Sequence, residues 1–308
     1  MNKQRELDEK GLRLDRSLSV TCGNVALFVL CRDGRIGNPS YKVGVQKGRR
    51  RMNIAVVVRQ VPDLIETLEI DASGAALDWD AASFIINECD DHALEQALLL
   101  KEAGGGAVAV VALDAGDVDN TLYAAAAKGA DRILKIPLDE GPPPAPQAAA
   151  ALFAEAIRPL QADLVLVGVQ AHNELDGVLA PLLAAALGRP YVGVIRGVKA
   201  GTDAGTVVAC KEFPGAVMAQ LKVKLPAVLG ILGADQPPRY VPVSRIRAAM
   251  KATQFEEPAV AAATVEPLVT VRKLSPPVSG TRAEMLSGSE TDVAVRIAAI
   301  LAEKGLLK

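Results

Sequence analysis

One stretch constrains the fold more than any other: a strand, a glycine, a polar loop and a helix follow one another between residues 163 and 187. Leu164 to Val167 is continuously apolar, which is typical of a strand buried on both faces of a parallel sheet. Gly168 ends the strand, and a polar loop from His172 to Gly177 precedes a predicted helix from Val178 to Leu187. Such loops lie at the carboxyl edge of α/β sheets, where ligands bind and helix N-termini attract phosphate. Because every βαβ unit has such a loop, the pattern alone leaves ligand binding and a plain connection equally open.

Strands and helices also alternate regularly before this stretch. Buried strands are predicted over 54–58, 107–113 and 132–136, and helices over 90–103, 119–128 and 147–160. This βαβαβ order predicts an α/β fold with a doubly wound, mostly parallel sheet.

The second half of the chain has a different pattern. Strands over Tyr191 to Val198 and Thr206 to Cys210 flank a glycine-rich turn, and a third, alternating strand runs from Val217 to Val223. These strands predict antiparallel additions to the sheet. Thr253 to Gly288 is rich in proline, with an added strand possible at Val269 to Val271, and an amphipathic helix is predicted from Glu290 to Lys304.

The chain therefore divides into three parts. Residues 1–51 are rich in charge and lack a core pattern, so we expect a disordered or non-native leader, although a nucleic-acid or membrane-surface arm is an alternative. Residues 52–252 form the α/β domain, and residues 253–308 form an extended C-terminal arm and helix.

Composition narrows the function classes. The 308 residues carry a net charge of −2, which provides no overall field for nucleic acid. Four scattered cysteines and two histidines predict no metal site and a reducing compartment, the cytoplasm. No apolar run is long enough to span a bilayer, so we expect no membrane insertion. Nucleophile, dinucleotide-binding and Walker motifs are missing, so no catalytic residue is predicted.

Five short motifs, in order, point to a family. They are Val56-Val57-Val58-Arg59-Gln60-Val61-Pro62-Asp63, Ala93-Leu94-Glu95-Gln96-Ala97, Gly129-Ala130-Asp131-Arg132, Gly168-Val169-Gln170-Ala171, and Leu225-Pro226-Ala227-Val228 followed by Pro238-Arg239-Tyr240. Together they resemble the electron transfer flavoprotein beta subunit family, over residues 52 to about 251.

The resemblance implies an adenine-nucleotide-binding type of α/β domain in a heterodimer. The partner would be an alpha subunit that holds the redox-active FAD, and the C-terminal arm would pack on it. The complex would carry electrons from flavin dehydrogenases to a quinone-linked oxidoreductase. The beta subunit of this family usually buries a structural AMP, and in one branch it holds a second FAD used for bifurcation.

The resemblance also implies a set of cofactor-binding positions, all at strand carboxyl ends or in the loops that follow. They are Val57, Asn87, Glu88, Cys89, Asp90, Leu113, Gly168, Val169, Gln170, Ala171, His172, Asn173, Glu174, Leu175, Asp176, Gly177, Val178 and Leu179. The last three replace polar residues of the family pattern, and Glu174 and Asp176 would repel a nearby phosphate. AMP binding is therefore expected from the family and weakened by these residues.

Two further positions are implied to dock partners. Val243 falls where the family places an apolar anchor for dehydrogenases, and Glu212 falls where a glutamate lies near the contact with the flavin domain. A stand-alone adenine nucleotide-binding module of the universal-stress type is the alternative reading of the whole chain.

Overall fold

The computed structural model describes residues 18–22, 25–30, 51–138, 143–174, 176–215, 217–261, 269–277 and 283–307. The strands are β1 (Leu18–Cys22), β2 (Val25–Leu30), β3 (Met52–Val57), β4 (Gln60–Pro62), β5 (Phe84–Ile86), β6 (Gly106–Leu113), β7 (Arg132–Ile136), β8 (Leu164–Gly168), β9 (Tyr191–Arg196), β10 (Val198–Ala200), β11 (Thr206–Phe213), β12 (Val217–Lys224) and β13 (Ala227–Gly233). The α-helices are α1 (Glu88–Gly104), α2 (Val118–Lys128), α3 (Pro146–Ile157), α4 (Leu179–Leu187), α5 (Val243–Ala252) and α6 (Glu290–Glu303).

A six-stranded parallel sheet forms the centre of the domain, in the order β7-β6-β3-β8-β13-β9. Successive side chains of a strand point to opposite faces, so Ile54 and Val56 enter one core while Ala55 and Val57 enter the other. Helices α1 and α2 cover the first face, and α3 and α4 cover the second. The prediction of a doubly wound α/β fold is confirmed.

The strand order reverses between β3 and β8. The chain proceeds from β3 to β6 and β7 on one side, and then returns to β8 on the other side of β3. In open α/β sheets, the crevice at such a reversal is where ligands bind. We call the space beyond the carboxyl ends of these two strands the switch crevice.

A second, antiparallel sheet has the order β1-β2-β12-β11-β10. Its presence confirms the predicted antiparallel additions, but the placement of Tyr191–Arg196 was wrong. This strand, β9, pairs in parallel with β13 in the central sheet, and only the short β10 forms the hairpin with β11. The break comes at Gly197, whose φ of +86° turns the chain between the two strands.

Part of the predicted leader also has regular structure. Strand β2 pairs with the edge strand β12, from Val25 opposite Val223 to Leu30 opposite Met218, and β1 pairs with β2. A disordered leader does not describe these two strands, because the apolar run at 25–30 completes an otherwise unpaired sheet edge. The rest of residues 1–50 lies outside the described part of the chain.

The C-terminal region contributes little to the core. Neither α5 nor α6 contains a buried residue. Helix α6 starts with a capping box between Ser289 and Asp292. These local hydrogen bonds stabilise the start of the helix although none of its residues is buried. The strand considered at Val269 to Val271 does not form. Across the described residues, no helix combines the length and apolar character needed to span a bilayer.

Candidate functional site

The switch crevice is filled by three charged side chains, and Arg59 lies at their centre. Arg59 follows β3 almost directly, and its side chain is only 10% exposed. Its Nη2 donates to the carbonyl oxygen of Gly168 at 2.9 Å, so the guanidinium spans from the end of β3 to the end of β8. Sequence reasoning did not name Arg59 as a site residue. The available signal was a basic residue directly after a buried strand at the ligand-binding edge.

Asp90 is the first partner of Arg59. Its carboxylate is fully buried and accepts from the backbone N–H, Nε and Nη2 of Arg59 at 2.9–3.0 Å. Oδ1 also accepts the backbone N–H of Gly168 at 2.7 Å. A side chain at position 168 would not fit, because its Cβ would lie 2.3 Å from Asp90 Oδ1. The first turn of α1 is therefore held against the end of β8, where its positive end stabilises the carboxylate.

Glu174 is the second partner of Arg59. Its Oε1 accepts from Arg59 Nη1 at 2.7 Å, while Oε2 is buried and has no hydrogen-bond partner among the described residues. Burial by itself would lower the pKa of Arg59, but the charges and hydrogen bonds of Asp90 and Glu174 outweigh burial and raise this pKa above its ordinary value. The guanidinium is therefore fully charged and committed to two carboxylates.

The loop that carries Glu174, residues 169–174, is tied down along its length. We call it the β8 loop. Val169 N–H donates to the carbonyl oxygen of Ile231, and Asn87 Nδ2 donates to the carbonyl oxygen of Gln170, at 2.9 and 3.0 Å. His172 Nε2 lies 2.8 Å from the carbonyl oxygen of Pro62. The β8 loop is thus bound to β13, to the start of α1 and to β4.

Cys89 completes the wall of the crevice. Burial raises the pKa of its thiol, and the charge of Asp90 adds to this, although the backbone N–H of Gln170 acts in the opposite direction. Because the thiolate is the nucleophilic form, Cys89 behaves as a small packing residue here.

The structure brings most of the predicted cofactor-binding positions to this edge, but only some have side chains available there. Val57, Leu113 and Leu179 are core residues, so they offer only backbone atoms. Glu88, Gln170, His172, Asn173 and Asp176 are exposed, and Ala171 is buried. Asn87, Cys89, Asp90, Gly168, Val169 and Glu174 form or line the contacts described above. Gly177 and Val178 are partly exposed in front of α4, and Leu175 lies outside the described residues.

The predicted partner-docking positions lie away from this edge. Val243 is the first residue of α5 and is 57% exposed. The segment before it is anchored by Arg239, whose Nε and Nη2 bind both carboxylate oxygens of the buried Glu95 at 2.8–3.1 Å. Glu212, on β11, lies 3.5 Å from Arg196, and both side chains are about half exposed.

The charges of the switch crevice do not match a phosphate. Two carboxylates, Asp90 and Glu174, bond to Arg59, and the exposed Glu88 and Asp176 add negative charge to the first turn of α1 and to the segment before α4. An additional anion would meet net repulsion. Among the described residues, no group of three or more histidine, cysteine or acidic side chains could hold a metal ion.

Comparison with known proteins identifies the relatives of this chain. Residues 78–265 match the model of the electron transfer flavoprotein domain. The electron transfer flavoprotein subunit beta of Methylophilus methylotrophus is 29% identical over 263 residues, which cover 82% of this chain and 98% of that protein. The subunit beta of Clostridium acetobutylicum is 31% identical over 63% of this chain and 74% of that protein. That of Bacillus subtilis is 30% identical over 65% and 76%. With the parallel sheet and the five motifs in place, these matches show that the chain belongs to the electron transfer flavoprotein beta subunit family.

Proposed function

We propose that this chain is the beta subunit of a heterodimeric electron carrier. It would pair with an alpha subunit that holds FAD and carry electrons from flavin dehydrogenases to a quinone-linked oxidoreductase. The observation that carries the proposal is the family match from 78 to 265, which runs through the α/β domain into the arm. The flavin of the alpha subunit would supply the redox chemistry, and this chain would supply position and docking surfaces. The thiols of Cys89 and Cys210 are free, which fits a cytoplasmic carrier.

The C-terminal region supports a large partner. Helix α6 is well capped, yet it buries none of its residues against its own domain. Val269 and Val271, in the preceding arm, are 56% and 59% exposed. An amphipathic helix on an apolar arm gains most by packing on another protein surface, so we assign residues 253–308 to the alpha subunit contact.

Val243 and the segment before it form the proposed docking site for dehydrogenases. Tyr240 and Val243 are 84% and 57% exposed, and the ion pair between Arg239 and Glu95 fixes the backbone just ahead of them. Exposed apolar groups on a fixed backbone are suited to docking, because little conformational entropy is lost on binding. Glu212 is assigned to the flavin-domain contact, where exchange of its partner Arg196 for a group on the alpha subunit would regulate movement of that domain.

The heterodimer is tested by co-expression of this chain with the neighbouring flavoprotein gene, with an affinity tag on this chain only. We expect a one-to-one complex that carries one FAD and shows the visible flavin spectrum. A chain that elutes alone and without flavin would contradict the proposal and favour a stand-alone nucleotide-binding module.

The docking role is tested by Val243→Glu. We expect at least about tenfold slower electron transfer from the cognate dehydrogenase, because a charge replaces an apolar contact, while the heterodimer and its FAD content are retained. Leu64→Glu is the matched control, since Leu64 is 64% exposed on a different loop. Equal rates for both variants would remove Val243 from the docking surface.

A further inference from the structure

We propose that Glu174 is a built-in substitute for a ligand anion: its carboxylate bonds to Arg59 and closes the β8 loop over the switch crevice, so that this subunit takes no adenine nucleotide there. This inference rests on the proposed function, because it concerns the nucleotide that the family resemblance implies for the beta subunit.

The crevice between β3 and β8 is the place where the strand order reverses, and Arg59 and Gly168 lie at the carboxyl ends of its two strands. The bond from Arg59 Nη1 to Glu174 Oε1 crosses this crevice. Arg59 and Glu174, on the two sides of the crevice, are therefore already bonded to each other.

At the carboxyl ends of β3 and β8, the groups that could attract an anion are already bonded within the chain. Arg59 directs Nε, Nη1 and Nη2 to Asp90, Glu174 and the carbonyl oxygen of Gly168. The backbone N–H of Gly168, which a phosphate could otherwise accept from, donates to Asp90. The positive end of α1 faces Asp90, Glu88 and Asp91 in its own first turn. A phosphate arriving here would have to displace a carboxylate and would still face an excess of negative charge.

The β8 loop makes its contacts within the chain. Contacts through Val169, Gln170 and His172 fix its backbone, and Glu174 N–H donates to the carbonyl oxygen of Ala171 at 3.0 Å. The chain supplies the anion that bonds to Arg59 from its own sequence, through Glu174. This arrangement leaves Oε2 of Glu174 buried and without a hydrogen-bond partner in the described part of the chain, which is unfavourable.

The test uses the purified heterodimer and two variants, Glu174→Gln and Glu174→Ala. Nucleotides are released by denaturation and quantified by chromatography, and AMP affinity is measured by titration calorimetry. We expect FAD without AMP from the unmodified complex, and roughly 10- to 100-fold tighter AMP binding in the variants, because one opposing charge is removed close to the phosphate. Glu174→Gln keeps the side-chain volume, so the test does not depend on Glu174→Ala folding.

A second readout follows the loop itself. Amide hydrogen exchange in the β8 loop should rise in Glu174→Ala and fall again when AMP is added, since the nucleotide phosphate then takes over the bond to Arg59. Glu66→Ala is the matched control, because it removes an exposed carboxylate from another loop and should change neither exchange nor AMP affinity.

The possible failures are separable. Stoichiometric AMP on the unmodified complex, or AMP affinity unchanged in both variants, would overturn the inference and leave the electron carrier intact. A complex without FAD would instead overturn the proposed function.

Discussion

The switch crevice and the C-terminal region use their side chains in opposite ways. At the crevice, a buried guanidinium is bonded to two carboxylates of the same chain, and the β8 loop is closed over them. From Tyr240 onward, large apolar side chains such as Tyr240 and Met285 are 84% and 87% exposed, and α6 buries none of its residues. The charged groups of the crevice bond to groups of the same chain, whereas large apolar side chains of the C-terminal region are exposed, as expected for a surface that contacts another protein.

This difference predicts that the crevice contributes to the stability of the fold and that the C-terminal region contributes to binding of a partner protein. Changes at the crevice should act mainly on folding, because they leave charges buried and unpaired. Changes on α6 should act mainly on association, because this helix buries no residue against its own domain.

The largest effect is expected from Asp90→Ala. The substitution leaves Arg59 buried with one carboxylate fewer and leaves the N–H of Gly168 without an acceptor. We expect a loss of about 3–5 kcal/mol in the free energy of unfolding of the isolated chain, measured by urea denaturation. The exposed control Glu66→Ala should stay within about 0.5 kcal/mol of the unmodified chain. A loss in Asp90→Ala no larger than in this control would mean that the cluster does not support the fold.

The next effect concerns Glu95, which joins the core to the docking segment. Glu95→Gln removes the charge from a carboxylate that holds Arg239 through both oxygens, and we expect a loss of about 1.5–3 kcal/mol. Burial would raise the pKa of Glu95, but the hydrogen bonds from Arg239 outweigh burial and lower this pKa below its ordinary value. The bond to Arg239 therefore stabilises the fold above the unfolded-state pKa of about 4.3, and this contribution is lost as the pH falls through the lowered folded-state pKa.

Urea denaturation of both proteins across this acid range provides the measurement. The stability of the unmodified chain should fall towards that of Glu95→Gln as the pH drops below about 4.3. A gap between the two proteins that does not narrow with acid would show that Glu95 acts through packing and not through its charge.

These two clusters also show how far the sequence could predict the molecule. Most strands of the central sheet were predictable because each, such as Leu164 to Val167, is a local and continuous apolar run. The ion pair between Arg59 and Glu174 was not predictable, because it joins positions 115 residues apart and depends on which strands become neighbours in the sheet. The predicted placement of β9 was wrong for the same reason. Its parallel partner β13 comes later in the chain, after the antiparallel strands β10, β11 and β12.

A smaller effect on folding, but a clear one on association, is expected from changes in α6. Ile297→Gln with Leu301→Gln changes two residues one helical turn apart on the same face of α6. We expect heterodimer affinity to fall by about 10- to 100-fold, while the thermal midpoint of the isolated chain stays unchanged because α6 has no buried residue. Val295→Gln is the control within the same helix, because Val295 is about 200° around the axis from Ile297 and is 66% exposed. Equal losses of affinity in both would show that α6 does not present a single binding face.

The smallest effect is expected where the C-terminal region does contain an ion pair. Arg296 and Glu284 approach to 3.9 Å, but their side chains are 57% and 73% exposed. Water screens such a pair and competes for both groups, so Glu284→Gln should change the free energy of unfolding by less than about 0.5 kcal/mol. The same kind of charge removal would then have a large effect beside Arg59 and almost none beside Arg296. A loss above about 1 kcal/mol from Glu284→Gln would mean that the arm is packed more firmly on its own domain than its exposure indicates. The contrast between a crevice whose charges are paired within the chain and a C-terminal region that is exposed for a partner would then no longer hold.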